Sequence, residues 1–340
     1  MRGNERPMVR WDMFGRALGA GIAGILAGCG VAPGGHATAP GAGAAPQGPG
    51  ATPSAQAAPS TAAAPSAPAV STSGKPVGRP CGELGCLAFA TPQAAFAKAL
   101  SASPRVIALG EAHAQKDAPR VKSTTRRFAE ELLPGLEGRV TDLVIELLTT
   151  NGSCGAAVER NVAERQKPVT EPQSASNQNQ YITLGAVAKK LGIAPHTLVP
   201  ECEELRAVTQ AGEGDIDRML VLIADATVRE TEKLFASGDP KRAIVLYGGA
   251  LHNDLAPRAG RERWSYGPRL SQRAAGRYVE IDLVVPEFVR PTPSWQGLPW
   301  YAAFEALPPG AETILYEPSP SSYVLIFPRS ARAEPAAKAP

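Results

Sequence analysis

The chain has 340 residues, with 35 Lys and Arg against 32 Asp and Glu, for a formal charge of +3. That balance leaves no excess of basic residues for a nucleic-acid surface, so a nucleic-acid partner is not expected. Length alone allows one large domain or two ordinary ones, but 34 Gly and 33 Pro are concentrated in a way that shortens the folded part.

The first residues carry Arg2, Arg6, Arg10 and Arg16, followed by an apolar stretch from Ala17 to Gly28. The stretch is too short to span a bilayer and reads as a secretory signal. It ends in Leu26-Ala27-Gly28-Cys29, which looks like a bacterial lipobox that would leave Cys29 as a lipid-modified N-terminus; an ordinary signal peptide with a chance cysteine is the bland alternative. Removing residues 1–29 lowers the formal charge to +1. The expected location is the bacterial cell envelope, anchored to a membrane, with the outer membrane favoured.

Residues 30–79 are mostly Ala, Pro, Gly, Ser and Thr, with no charged residue before Lys75. Such a segment cannot bury enough apolar surface to offset its ordering entropy and is expected to be a disordered tether. The folded domain is therefore placed at 80–328, and a disordered tail at 329–340.

Within the domain, Cys81 and Cys86 bracket a loop, and Thr91-Pro92 starts a short helix. A first strand is predicted over Arg105–Leu109 and a helix over Pro119–Leu133. A second strand comes next over Thr141–Leu147, with Glu146 inside an apolar run. Residues 149–180 read as a polar connection with one short helix, 156–165. Helix Tyr181–Leu191, strand Thr197–Val199, and the long helix Asp215–Phe235 come after it. Strand Ala243–Leu246, helix Pro268–Ala275, strand Tyr278–Val285, a helix near Trp300–Leu307 and a hairpin, 313–316 with 323–327, complete the domain. Strands alternating with helices predict an α/β fold: a mainly parallel sheet flanked by helices, with a C-terminal hairpin at one edge.

Two stretches are near-repeats: Arg105-Val106-Ile107-Ala108-Leu109-Gly110-Glu111-Ala112-His113, and Arg242-Ala243-Ile244-Val245-Leu246-Tyr247-Gly248-Gly249-Ala250-Leu251-His252. Each is an apolar strand closed by Gly-x-x-His. Side by side in a parallel sheet, they would present both imidazoles at the edge where open α/β sheets bind ligands. Glu111, Glu146, Glu201 with Glu203, and His252 with Asn253 and Asp254 would share that edge. His and carboxylates together can do acid–base work or hold a divalent metal. An unpaired carboxylate is costly to bury, so Glu146 needs a partner. Arg126 and Arg127 are candidates to point back at it, against a plain solvated helix face. Arg258, Arg261, Arg263, Arg269 and Arg273 around Trp264 and Tyr266 form a candidate anion-binding rim. Cys81, Cys86, Cys154 and Cys202 are an even set in an exported chain, which favours disulfides Cys81–Cys86 and Cys154–Cys202; reduced thiols near a metal are the alternative. There is no Gly-x-Ser-x-Gly elbow, no phosphate loop, no HExxH and no paired CxxC.

The sequence Ile107 to His113, Glu146 at the end of the second strand, and Gly249-Ala250-Leu251-His252 together resemble the superfamily that holds the erythromycin esterases, the ChaN haem-binding lipoproteins and the TIKI/TraB proteins. Trp264-Ser265-Tyr266-Gly267-Pro268-Arg269-Leu270 is similar to the segment after the late His in that group. The resemblance covers about 105–285 and implies Glu111, His113, Glu146 and His252 as site positions. Its members diverge: the esterases resemble metal-free hydrolases in which His and Glu activate water, the TIKI proteins resemble metal-dependent peptidases, and ChaN binds haem. The sequence departs from the haem-binding and esterase pattern after His113, where Ala114-Gln115-Lys116-Asp117 carries no second His.

The expectation is therefore an exported, lipid-anchored hydrolase. Glu111, His113, Glu146 and His252 are its catalytic residues, and Arg126, Arg127, Glu201, Asn253 and Arg269 are its substrate- or anion-binding residues. A divalent metal, if bound, would sit on His113, Glu146 and His252. A haem- or metal-binding lipoprotein of iron uptake is the alternative, and an inactive scaffold the third reading. The ligand would be a small molecule, a haem or a peptide, and the membrane would be reached through Cys29.

Overall fold

The computed structural model describes residues 30–31, 77–116, 120–149, 154–170, 173–210, 216–237, 239, 242–306 and 312–330. Cys29 with its lipobox, residues 32–76 of the expected tether and the tail beyond 330 lie outside the described residues. Within the tether segment, Gly30–Val31 forms a two-residue strand, β1.

The chain then runs β2 (Arg79–Pro80), β3 (Cys86–Phe89), α1 (Pro92–Ala99), β4 (Val106–Glu111), α2 (Thr124–Arg127), β5 (Val140–Leu148), α3 (Ala156–Thr170), α4 (Asn177–Lys190), β6 (Ala194–Leu198), α5 (Cys202–Thr209), α6 (Asp217–Ser237), β7 (Ala243–Gly249), α7 (Gly267–Arg273), β8 (Tyr278–Val284), α8 (Pro293–Gln296), α9 (Tyr301–Ala306), β9 (Thr313–Ser319) and β10 (Ser322–Ile326). Helix α2 continues through a π-turn, Phe128–Leu132, into a 3-10 turn, Leu133–Leu136.

All strands among the described residues join one sheet. Its parallel part runs β6-β5-β7-β4-β8-β10. The antiparallel β9–β10 hairpin extends that side, and β3 and then β2 add beyond it. β1 pairs parallel with Leu147–Leu148 of β5. Strand β3 follows the expected Cys81–Cys86 loop and is not among the predicted strands; apart from the two-residue β2 it pairs with β9, more than 220 residues further on, so no local signal announces it.

Strands β4 and β7 carry the two near-repeats and lie side by side, with Leu109 opposite Tyr247 and Gly110 opposite Gly248. They are buried along their whole length, as strands covered on both faces must be. Alternate residues serve the two layers. Ile107, Leu109, Val245 and Tyr247 pack with α1, α4 and the 124–136 helix. Val106, Ala108, Ile244 and Leu246 pack against α3, α5, α6 and α7. A third cluster, with Trp295, Trp300 and Tyr301 of the α8–α9 region, covers the antiparallel strands. From β4 the chain goes to β5 and β6 on one side, returns to β7, and then crosses to β8 on the other side of β4. The strand C-termini around β4 are therefore a topological switch point, the place where such sheets open a crevice.

Both expected cysteine pairs are disulfides. Cys81–Cys86 closes the turn before β3, and Cys154–Cys202 ties the start of α3 to the start of α5. Among the described residues no helix is long and apolar enough to cross a membrane.

Candidate active site

Glu111 ends β4, and its side chain lies on the α4 side of the sheet. It is the acceptor for four groups. His113 Nδ1 lies 2.5 Å from Oε1, and the Tyr181 hydroxyl donates to the same oxygen at 3.0 Å. Thr125 donates to Oε2 at 2.9 Å, and the Tyr247 hydroxyl donates to it as well. Burial and the Glu111 charge push both tyrosine hydroxyls well above the ordinary range, so they stay protonated and donating. The carboxylate so held accepts the Nδ1–H of His113, which assigns the basic lone pair of that ring to Nε2.

Three elements bring these donors together. Ser123 caps α2, accepting from Arg126 N–H at 3.1 Å, and Thr125 lies in its first turn. The π-turn after α2 lays Phe128 flat against Tyr247, with ring centroids 5.0 Å apart; π-turns are often found where a helix serves a site. Tyr181 stands on α4, which starts beside the His113 loop: Ser174 N–H and the Asn177 amide both donate to the Ala114 carbonyl, at 2.8 and 3.2 Å.

Glu146 of β5 occupies the opposite face. Its Oε2 accepts the Gly249 N–H at 2.7 Å, and its Oε1 lies 3.7 Å from His252 Nε2. His252 donates its Nδ1 proton to the Trp264 carbonyl at 2.7 Å, so its lone pair also sits on Nε2, facing Glu146. Burial raises the Glu146 pKa; His252, then His113, pull it back. All four residues are nearly sealed, with exposures of 2% for Glu111, 2% for His113, 5% for Glu146 and 1% for His252. A cavity of about 10 Å³, lined in part by Glu146, Thr227, Gly248 and Tyr266, is close to the volume that one water needs.

The glycines of the two motifs have a shared purpose. A Cβ on Gly248 would fall 2.1 Å from Glu146 Oε2. A Cβ on Gly110 would fall 2.5 Å from Asp282 Oδ1 and 2.6 Å from Asn253 Oδ1. Each glycine thus vacates the space over its strand for a carboxyl from the next strand outward, Glu146 of β5 in one case and Asp282 of β8 in the other.

No family model matches the chain, and no curated protein or solved structure does.

The remaining expected site residues lie elsewhere, with one exception. Arg126 is exposed and pairs with Glu130 one turn on, at 2.6 Å. Arg127 turns away from Glu146: it lies over the Phe327 ring and donates to Ser330 Oγ at 3.0 Å and to the Lys122 carbonyl at 3.3 Å. Glu201 is the N-cap of α5, with its N–H donating to the Glu204 carboxylate at 2.9 Å. Arg269 is neutralised by Asp225 of α6 at 2.6 Å, as Arg273 is by Glu232. Asn253 is the exception, fully buried beside His252.

As for a metal, both imidazoles have a second-layer acceptor of the kind metal-binding histidines use. Yet among the described residues no group of three or more His, Cys, Asp or Glu side chains is arranged to hold an ion. His113, Glu146 and His252 do not form a ready three-ligand set; Glu146 and His252 face each other instead. The donors that sequence reasoning missed are Tyr181, Tyr247 and Thr125. Only Tyr247 left a trace, as the polar residue that breaks an otherwise apolar β7.

Proposed function

We propose that the protein is a hydrolase in which a His–Glu pair activates water. The observation that carries this reading is the Glu111–His113 pair, with its carboxylate fixed by two tyrosines and a threonine, set against the Glu146–His252 pair at the same strand ends. Both oxygens of the Glu111 carboxylate are already taken up by four donors. Glu111 is therefore a positioning residue that fixes the ring and tautomer of His113 and stabilises the imidazolium formed when Nε2 takes a proton from water. The resulting hydroxide adds to an electrophilic carbon such as an ester or amide carbonyl. Glu146, whose burial favours its neutral form, delivers its proton to the leaving group, with His252 Nε2 standing 3.7 Å from its Oε1. This is the metal-free route that the resemblance to the esterases implies. A small or slender substrate suits a site so little exposed.

The test is turnover of p-nitrophenyl acetate and of a peptide mixture by the folded chain, beside His113→Ala, Glu146→Gln and His252→Ala. Wild-type turnover lowered at least about a hundredfold by His113→Ala supports the reading. Equal rates for wild type and all three variants overturn it, as would a Soret band on haem addition that His113→Ala abolishes, with no hydrolysis of either probe.

A further inference from the structure

The turn after β7 carries His252, and strand β8 grips that turn with three alternate side chains of one face. The Tyr278 hydroxyl donates to the Asn253 carbonyl at 2.7 Å. Glu280 accepts the Leu255 N–H at 2.6 Å. Asp282 accepts the Asn253 side-chain amide at 3.0 Å. From the helical side, Ser265 Oγ and Tyr266 N–H donate to the His252 carbonyl at 3.0 and 2.8 Å.

One atom in this arrangement is unaccounted for. Asn253 is fully buried, and its Oδ1 has no hydrogen-bond donor among the described residues. A buried amide oxygen left so costs about 1–3 kcal/mol. The carboxyl of Asp282 stands over the same glycine, Gly110, as this oxygen. An ionised Asp282 offers only acceptors, whereas a protonated one offers a hydroxyl. An amide and a carboxylic acid can then close a two-bond ring, Nδ2–H to Oδ1 of Asp282 and Asp282 O–H to Oδ1 of Asn253.

We infer that Asp282 stands as a neutral carboxylic acid locked to the Asn253 amide, and that this pair, with Tyr278 and Glu280, positions His252. The inference rests on the reading of His252 as part of the site. The surroundings agree with it. Glu280 from the same strand and Asp254 from the turn face Asp282 with like charge, and Tyr266 and Tyr278 close the remaining side. Arg258 and Arg261 are the nearby cations, and they face Asp254. Burial first, and then Glu280 and Asp254, raise the Asp282 pKa well above the usual carboxylate range. Asp282 is thus a positioning residue acting through Asn253.

The experiment uses the full chain with the aspartate side-chain carboxyl carbon labelled, and infrared difference spectra across pH. A protonated-acid C=O band at neutral pH, shifted by the label and absent in Asp282→Asn, is expected. A spectrum that keeps every such band in Asp282→Asn overturns the inference without requiring that Asp282→Ala fold. In parallel, ¹⁵N spectra of the four histidines, with His252 assigned through His252→Ala, report the turn directly. Asp282→Asn supplies an N–H to Asn253 Oδ1 and an oxygen to its Nδ2, so His252 signals should match wild type, whereas Asp282→Ala should shift them. Equal disturbance by the two variants overturns the positioning role. With p-nitrophenyl acetate, Asp282→Ala should lower kcat about tenfold at unchanged KM, and Asp282→Asn less than about twofold. The infrared and histidine readouts do not need hydrolysis, so a chain that passes them and turns over no probe overturns the hydrolase and leaves this inference standing.

Discussion

Gly248→Ala is the most direct probe of how the site is built. The new Cβ would lie 2.1 Å from Glu146 Oε2 and 2.8 Å from Glu146 Cβ. Strand β7 is hydrogen-bonded to β4 on one side and β5 on the other, so the backbone cannot retreat and the Glu146 side chain must swing away. That breaks the 2.7 Å bond from Gly249 N–H and leaves the N–H buried. Overpacking costs about 1–3 kcal/mol, and the lost buried hydrogen bond about 1–3 kcal/mol more. The total is about 2–6 kcal/mol, which lowers the thermal midpoint of a domain this size by roughly 4–24 °C. Thermal unfolding followed by circular dichroism would compare wild type, Gly248→Ala, Glu146→Ala and the double variant. Glu146→Ala removes the obstruction, so the double variant should be more stable than the sum of the two by about 1–3 kcal/mol. A Gly248→Ala protein that unfolds within about 1 °C of wild type, or two strictly additive effects, would refute the reasoning.

Tyr181→Phe and Tyr247→Phe each remove one hydroxyl donor from Glu111 and loosen His113; each should lower kcat on the ester probe about tenfold with KM unchanged, measured by steady-state kinetics. Glu280 is raised to about 7 by burial, with Asp254 adding to the shift. A raised carboxyl contributes stability that is full below its unfolded value, 4.5, and is lost as pH rises through the folded value. Stability should therefore fall between about pH 4.5 and pH 7 by an amount on the order of 3 kcal/mol, read as a lower thermal midpoint. Glu280→Gln should flatten that slope, and an unchanged slope in the variant counts against it. Cys154–Cys202 closes a loop of 48 residues in sequence separation, and Cys154→Ser with Cys202→Ser should cost about 2–4 kcal/mol in urea unfolding.

The pairing of β4 with β7 was legible because both are continuous apolar runs closed by the same glycine spacing, a pattern that burial on both faces imposes. Glu146 was legible because a carboxylate inside an apolar strand demands a partner. The partners themselves were not. Tyr181 lies 70 residues from Glu111 and reaches it only because α4 docks beside the His113 loop. Asp282 sits in a strand whose alternation of Glu280 and Asp282 with Ile281 and Leu283 looks like one wet face, whereas that face holds a turn. Arg127 and Arg269 take partners that helix docking decides, Phe327 and Ser330 for the first and Asp225 of α6 for the second, whereas Arg126 pairs one turn on with Glu130 on a solvated helix face. Strand β3 was missed because its only partners outside its own hairpin are remote in sequence.

The two halves of the site are anchored in separate hydrophobic layers. Glu111 and its donors depend on the layer built by α1, α4 and the 124–136 helix. Glu146 and the turn of His252 depend on the layer built by α3, α5, α6 and α7. The sheet acts as a partition, and the halves meet only at its rim. Substitutions that repack one layer can therefore alter one half of the site while the other half keeps its geometry, which makes the base and acid roles proposed for them separately evolvable within a single domain.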